Sequence, residues 1–200
     1  MQHTISTILC SLFLLATFPK VAQANILLNV EFWKYAAVAD VEAEIERGED
    51  IVARDEYGAT PLHWAAAWSS TEIVKLMLEH GADITSRDRY GSTPLFRAAG
   101  NNGSAVLNLL IEHGANINAR NKEGSTPLHM AARIGSPAVV EFLLNHGAHG
   151  AAQDKWGSTP FDYAQGKLSA SSFYGFLKGK YNKKLKDTTA YWLLNEAQYR

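Results

Sequence analysis

The sequence predicts a mainly α-helical solenoid of helix-turn-helix units joined by short β-hairpin tips. Two rulers of equal length carry that prediction. Gly-Ala-Thr-Pro-Leu-His-Trp-Ala-Ala at 58–66 returns at 91–99 and 124–132, with a worn copy at 157–164. Pro61, Pro94, Pro127 and Pro160 therefore stand 33 residues apart, and Gly48, Gly81, Gly114 and Gly147 keep the same interval. A third observation fills the space between them. Ile73-Val74-x-Leu76-Met77-Leu78 repeats as Val106-Leu107-x-Leu109-Leu110-Ile111 and as Val139-Val140-x-Phe142-Leu143-Leu144, one apolar helical face per unit.

Each element of the unit has a local cause. Thr60, Thr93, Thr126 and Thr159 precede a proline, which pairs a good N-cap with a good first helical residue. Leu62 and the small pair Ala65–Ala66 then make a short first helix that neighbours can approach closely. Ser69 and Glu72 have capping-box spacing for the second helix, and Ser136–Pro137 and Gly103–Ser104 mark its start in other copies. Gly81, Gly114 and Gly147 fall where a left-handed stop is wanted.

Motif, period and the endings Gly81-Ala82-Asp83 and Gly114-Ala115-Asn116 together resemble the ankyrin-repeat family. The resemblance implies a repeat domain over 25–178: an N-terminal cap at 25–55, full repeats at 56–89, 90–122 and 123–155, and a C-terminal cap repeat at 156–178. In that last copy Lys180 stands where the glycine is expected. End repeats that depart from the pattern suit caps, which turn a polar face to water.

The resemblance also implies where partners bind, at the hairpin tips and on the exposed side of the first helices. The tip residues are Tyr57, Tyr90, Glu123 and Trp156. Four positions before each motif glycine stand Arg54, Arg87, Arg120 and Gln153. The first helices present Trp64, Arg97, Met130 and Tyr163, and one turn later Trp68, Asn101, Ile134 and Lys167. Aromatics, Met and Arg are the types enriched in binding hot spots. The alternative for Trp64 and Met130 is packing between repeats.

Residues 1–24 read as a secretory signal. Ile5 to Phe18 is an apolar run, Lys20 follows it, and Ala22-Gln23-Ala24 is a small-x-small cleavage site. The rival reading is an uncleaved anchor. Cleavage removes the single cysteine, Cys10, and with it all thiol and disulfide chemistry. It also removes one of the 19 basic residues, Lys20, against 20 acidic ones that stay. A balance near neutral argues against a general nucleic-acid binder. In the N-terminal cap, Phe32, Trp33 and Tyr35 are read as an aromatic lid over the first full repeat. Residues 179–200 form a tail whose start is basic, with Lys180, Lys183, Lys184 and Lys186, followed by helix-forming residues from Thr188 to Tyr199. That tail reads first as a helix closing the last repeat and second as a segment for a partner or an anionic membrane surface.

Several chemistries are set aside. His63 and His129 belong to the repeat motif, where the imidazole is expected to bond backbone near the turn. His80, His113 and His146 recur every 33 residues, but neighbouring units project their side chains in parallel, so no metal site is expected. Gly166-Lys167-Leu168-Ser169 is a poor phosphate loop. Asn102-Gly103-Ser104 is a glycosylation sequon of low specificity. No catalytic residue and no cofactor is expected. The expectation is a non-catalytic protein binder, exported, periplasmic before secreted, acting as inhibitor, chaperone or immunity protein. The alternatives are a host-directed effector and a membrane-surface or metal-binding envelope protein.

Overall fold

A computed structural model describes residues 25–101, 103–165 and 189–199. Among them a short 3-10 turn, Ile26–Leu28, precedes ten α-helices: α1 Val30–Tyr35, α2 Val38–Glu46, α3 Pro61–Trp68, α4 Thr71–Glu79, α5 Pro94–Asn101, α6 Ser104–Glu112, α7 Pro127–Ile134, α8 Pro137–Asn145, α9 Pro160–Gln165 and α10 Thr189–Ala197. They stack in two layers. The odd-numbered helices pack on one another as an inner layer, and the even-numbered ones form an outer layer behind them.

The inner helices start at Thr-Pro as the residue types dictate. Leu62, Leu95 and Leu128 are fully buried, as are the alanine pairs of the same three helices, Ala65–Ala66, Ala98–Ala99 and Ala131–Ala132. Small side chains there let inner helices stack at close range. The outer helices bury Ile73, Val74 and Met77, then Val106, Leu107 and Leu110, then Val139, Val140 and Leu143. Stability is therefore a chain of neighbour contacts rather than one central core.

The ends differ from the middle. Trp33 is buried, edge-on to Phe32, and its Nε1 donates to Leu27 O at 2.8 Å. Asn25 belongs to the fold: its side chain accepts from Leu27 N–H and donates to Asp50 O. At the other end α10 lies on α8 and α9, burying Ala190 and Leu194, with Tyr191 5.0 Å from the Phe161 ring. Its Ala197 comes so near Gly150 that any Cβ there would lie 2.2 Å from the Ala197 Cβ.

Three expectations are corrected. The N-cap position of α4 is held by Ser70, without a side-chain cap bond, and not by Ser69, which is spent on α3, closing it with an N–H bond to Ala65 O and placing its hydroxyl on Trp33 O. Tyr35 is no part of the aromatic lid: it ends α1 and is 74 % exposed, whereas Phe32 and Trp33 are buried. The tips are single tight turns, each closed by two backbone bonds such as Asp55 N–H to Ala59 O and Gly58 N–H to Asp55 O, and no strand forms among the described residues. Residues 1–24 with the expected export signal, Asn102 of the sequon, Lys167, Lys180 and the lysine run lie outside the described residues.

Candidate functional site: the hairpin edge and inner-helix face

The tips are built by one carboxylate or amide per repeat. Asp55 Oδ1 accepts from the N–H groups of Tyr57 and Ala59 at 2.8 Å each. Asp88, Asn121 and Asp154 do the same in their own turns. This local acceptor folds the chain back on itself without a strand ladder. Gly58, Gly91 and Gly124 complete each turn at positive φ, and a Cβ on any of them would come within 3.1 Å of the next repeat's backbone N. The tips are thereby sewn side by side: Arg89, Lys122 and Lys155 donate their N–H to Tyr57, Tyr90 and Glu123 carbonyls.

Three of the expected binding residues are also threads in that seam. Arg54 Nη1 donates to Gly58 O and to Arg87 O of the next repeat, both at 2.7 Å. Arg87 repeats this with Gly91 O and Arg120 O, and Arg120 with Gly124 O and Gln153 O. All three arginines are exposed residues, and these bonds use Nη1.

The first-helix row is tied down more completely. Trp64 Nε1 donates to Asp55 Oδ2 at 2.9 Å, Arg97 Nη2 to Asp88 Oδ2 at 2.5 Å, and the Tyr163 hydroxyl to Asp154 Oδ2 at 2.8 Å. In every case the donor stands nine residues after the turn-forming carboxylate, whose other oxygen serves the tip. Arg97 also lies 5.4 Å from the Trp64 ring centroid. Tyr163 is 2 % exposed, with burial holding its hydroxyl above the usual phenol range, and Ser125 Oγ 3.2 Å away. The third repeat breaks the rule consistently: Asn121 replaces Asp, and opposite it stands Met130, which donates nothing. Met130 instead fills the space over Gly100, where a Cβ would lie 3.1 Å from its Cγ. Ile134 is half-buried beside it.

His63 and His129 act within the core. His63 Nδ1 accepts from Thr60 N–H at 3.1 Å and lies 2.9 Å from the Thr60 hydroxyl. Nδ1 is therefore unprotonated, and Nε2–H donates to Ser92 O of the next repeat at 3.0 Å. His129 repeats the pattern with Thr126 and Ser158 O. Burial lowers the pKa of both imidazoles, that of His129 to about 4, against the opposing effect of the carbonyl bond. Phe96 and Asp162 hold the same place in the other copies. Phe96 is buried, and Asp162 accepts from Thr159 N–H and hydroxyl. His80, His113 and His146 each sit with Nδ1 on a carbonyl of their own helix, at 2.7 to 2.9 Å. They close separate helix ends and do not converge.

What remains open is the tip row and one helix end. Tyr57 is 43 % exposed, Tyr90 52 % and Trp68 42 %, with Lys34 Nζ 5.6 Å from the Trp68 ring. Trp156 is half-buried. Glu123 interrupts the aromatic tips; its Oε2 is buried without a hydrogen-bond partner among the described residues. Burial and the nearby Asp154 raise its pKa. The face thus offers aromatic surface and fixed cations. Residues 34–121 match a family model described as ankyrin repeats in three copies, and residues 110–164 a second described as ankyrin repeats in many copies. No curated protein matches the chain.

Proposed function

From a chain that belongs to the ankyrin-repeat family and so is a protein-protein interaction module, we propose a non-catalytic binder that holds its partner on the hairpin edge outside the cytoplasm. The observation that carries this reading is the exposure of Tyr57, Tyr90 and Trp68 on a face where Trp64, Arg97 and Tyr163 are committed to the fold's own bonds. Large, stiff aromatics open to solvent on a rigid scaffold lose little entropy on binding. Of the residues first assigned to the partner, Tyr57, Tyr90, Trp68 and Trp156 form the contact. Arg54, Arg87 and Arg120 both sew the edge and face the partner. Trp64, Arg97, Met130 and Ile134 support from below, and Tyr163 is core.

The export signal at residues 1–24 supports a bacterial envelope setting, periplasmic before secreted, and cleavage after Ala24 leaves the Asn25 contacts intact. There the role is to inhibit, escort or neutralise another exported or incoming protein. The test is capture from native envelope extract with protein expressed from the full reading frame, against Tyr57→Ala/Tyr90→Ala/Trp156→Ala. One protein retained by the wild type and lost with the variant, at unchanged thermal unfolding, is the expected result. A partner held equally by the variant would overturn the assignment of this face.

A further inference from the structure

The charges of this molecule are sorted by layer. The outer helices α2, α4, α6 and α8 expose Glu42, Glu72, Glu79, Glu112 and Glu141, and their one cation, Lys75, lies 3.6 Å from Glu79. The hairpin edge is the reverse. Arg54, Arg87 and Arg120 form one row of cations, and Arg89, Lys122 and Lys155 a second; all six are exposed. The edge's own carboxylates offset this charge only in part: Glu56 and Glu123 stand among the cations, and Asp55 is bound to its own turn and to Trp64. Asp88 and Asp154 are buried and accept from their own turns and from Arg97 and Tyr163. Among the described residues 11 basic side chains stand against 19 acidic ones, so the basic edge belongs to a repeat stack that is acidic elsewhere.

Resting on the reading that this edge binds a protein, we propose that the partner presents an extended acidic segment, which runs along the hairpin edge from the first full repeat to the third. Two features favour this over other occupants. The Arg54, Arg87 and Arg120 guanidiniums are held by carbonyls on both sides, so their remaining donors meet a carboxylate without first being ordered. The cations recur once per repeat with Tyr57 and Tyr90 among them, and Glu56 and Glu123 interrupt the rows. A peptide can set neutral or aromatic residues opposite those two acids. A uniformly charged polymer such as a nucleic acid would meet repulsion there.

The test uses a fluorescein-labelled peptide of Glu and Asp interspersed with Tyr and Gly, read by anisotropy at low and physiological ionic strength. A lysine counterpart and a single-stranded DNA of equal charge serve as comparison probes. Two variants are compared with wild type: Arg89→Gln/Lys122→Gln/Lys155→Gln on the edge and Glu72→Gln/Glu79→Gln/Glu141→Gln on the back. The acidic peptide should bind, weaken with salt, and weaken about tenfold or more with the edge variant while the back variant leaves it unchanged. No binding of the acidic peptide at low salt, or equal binding by the edge variant, overturns the proposal. So does tighter binding of the DNA, which would assign the edge to another class of partner. If a natural partner is lost with the aromatic variant but kept by the edge-charge variant, protein binding stands and the acidic segment falls.

Discussion

Trp64, Arg97 and Tyr163 occupy one position of the repeat, and Tyr57, Tyr90 and Trp156 another. Both rows hold binding-prone residue types at the same interval, on the same side of the molecule. Their bonding groups go to different places. Each member of the first row spends its donor on the carboxylate that builds its own hairpin, within 2.5 to 2.9 Å. In the tip row the backbone N–H is bonded into the turn, and the side chains of Tyr57 and Tyr90 remain in solvent. A periodic row of aromatics is therefore not by itself a binding face. What separates scaffold from contact is whether the side chain's polar end already has an internal partner.

The strongest way to break this comparison is to truncate one member of each row. Tyr163→Ala removes a buried ring edge-on to His129 at 5.1 Å and leaves Asp154 Oδ2 without its donor. It should cost about 3–5 kcal/mol in urea unfolding. Tyr90→Ala should stay within about 0.5 kcal/mol of wild type, since half its surface is already in water. Equal losses from the two would erase the distinction between rows.

The outline of the fold was legible because its causes are local. A Thr-Pro start, a glycine stop and an apolar stripe act over a single helix, and the 33-residue interval repeats them. The second helix start at Ser70 was missed because a tertiary contact, Ser69 on Trp33 O, decided it. The site was legible as rows but not as roles. Exposure depends on bonds between the tip and the first helix nine residues on. A signal for this was present: Asp55, Asp88 and Asp154 face the donors Trp64, Arg97 and Tyr163, and the one amide, Asn121, faces Met130. The sorting of charge between layers had no such signal, because it appears only once helices are assigned to layers.

Acid sharpens the contrast, since it should loosen the inner face and leave the tips alone. His129 titrates near 6.5 when unfolded and at about 4 when folded. Its contribution to stability is thus full above pH 6.5 and is lost as pH falls toward 4, where Nδ1 must take a proton that the Thr126 N–H opposes. That amounts to roughly 2 kcal/mol between pH 7 and 5, and His63 shifts in the same direction. His63→Phe/His129→Phe copies the middle repeat, where Phe96 is buried at this place. Urea unfolding of the double variant should vary less with pH over that window. An unchanged pH slope would mean the imidazoles do not govern the repeat junctions.

The finest cut exchanges the chemistry of one repeat for that of the next. The second repeat pairs Asp88 with Arg97, and the third places Asn121 and Met130 at the same two positions. Asp88→Asn keeps an Oδ1 for the turn, as Asn121 shows by accepting from Glu123 and Ser125 N–H. It also sets an amide against a guanidinium whose Nε already lacks a bond among the described residues. Arg97→Met leaves a fully buried carboxylate with one oxygen unpaired. Each single change should destabilise by about 1–3 kcal/mol. The double variant should recover most of that loss, since Asn with Met is a pairing this backbone already carries one repeat on, so the cycle should show a coupling of about 1 kcal/mol or more. Additive losses would mean that Asp88 and Arg97 act independently, and that the inner row is held by packing and not by its tie to the tips.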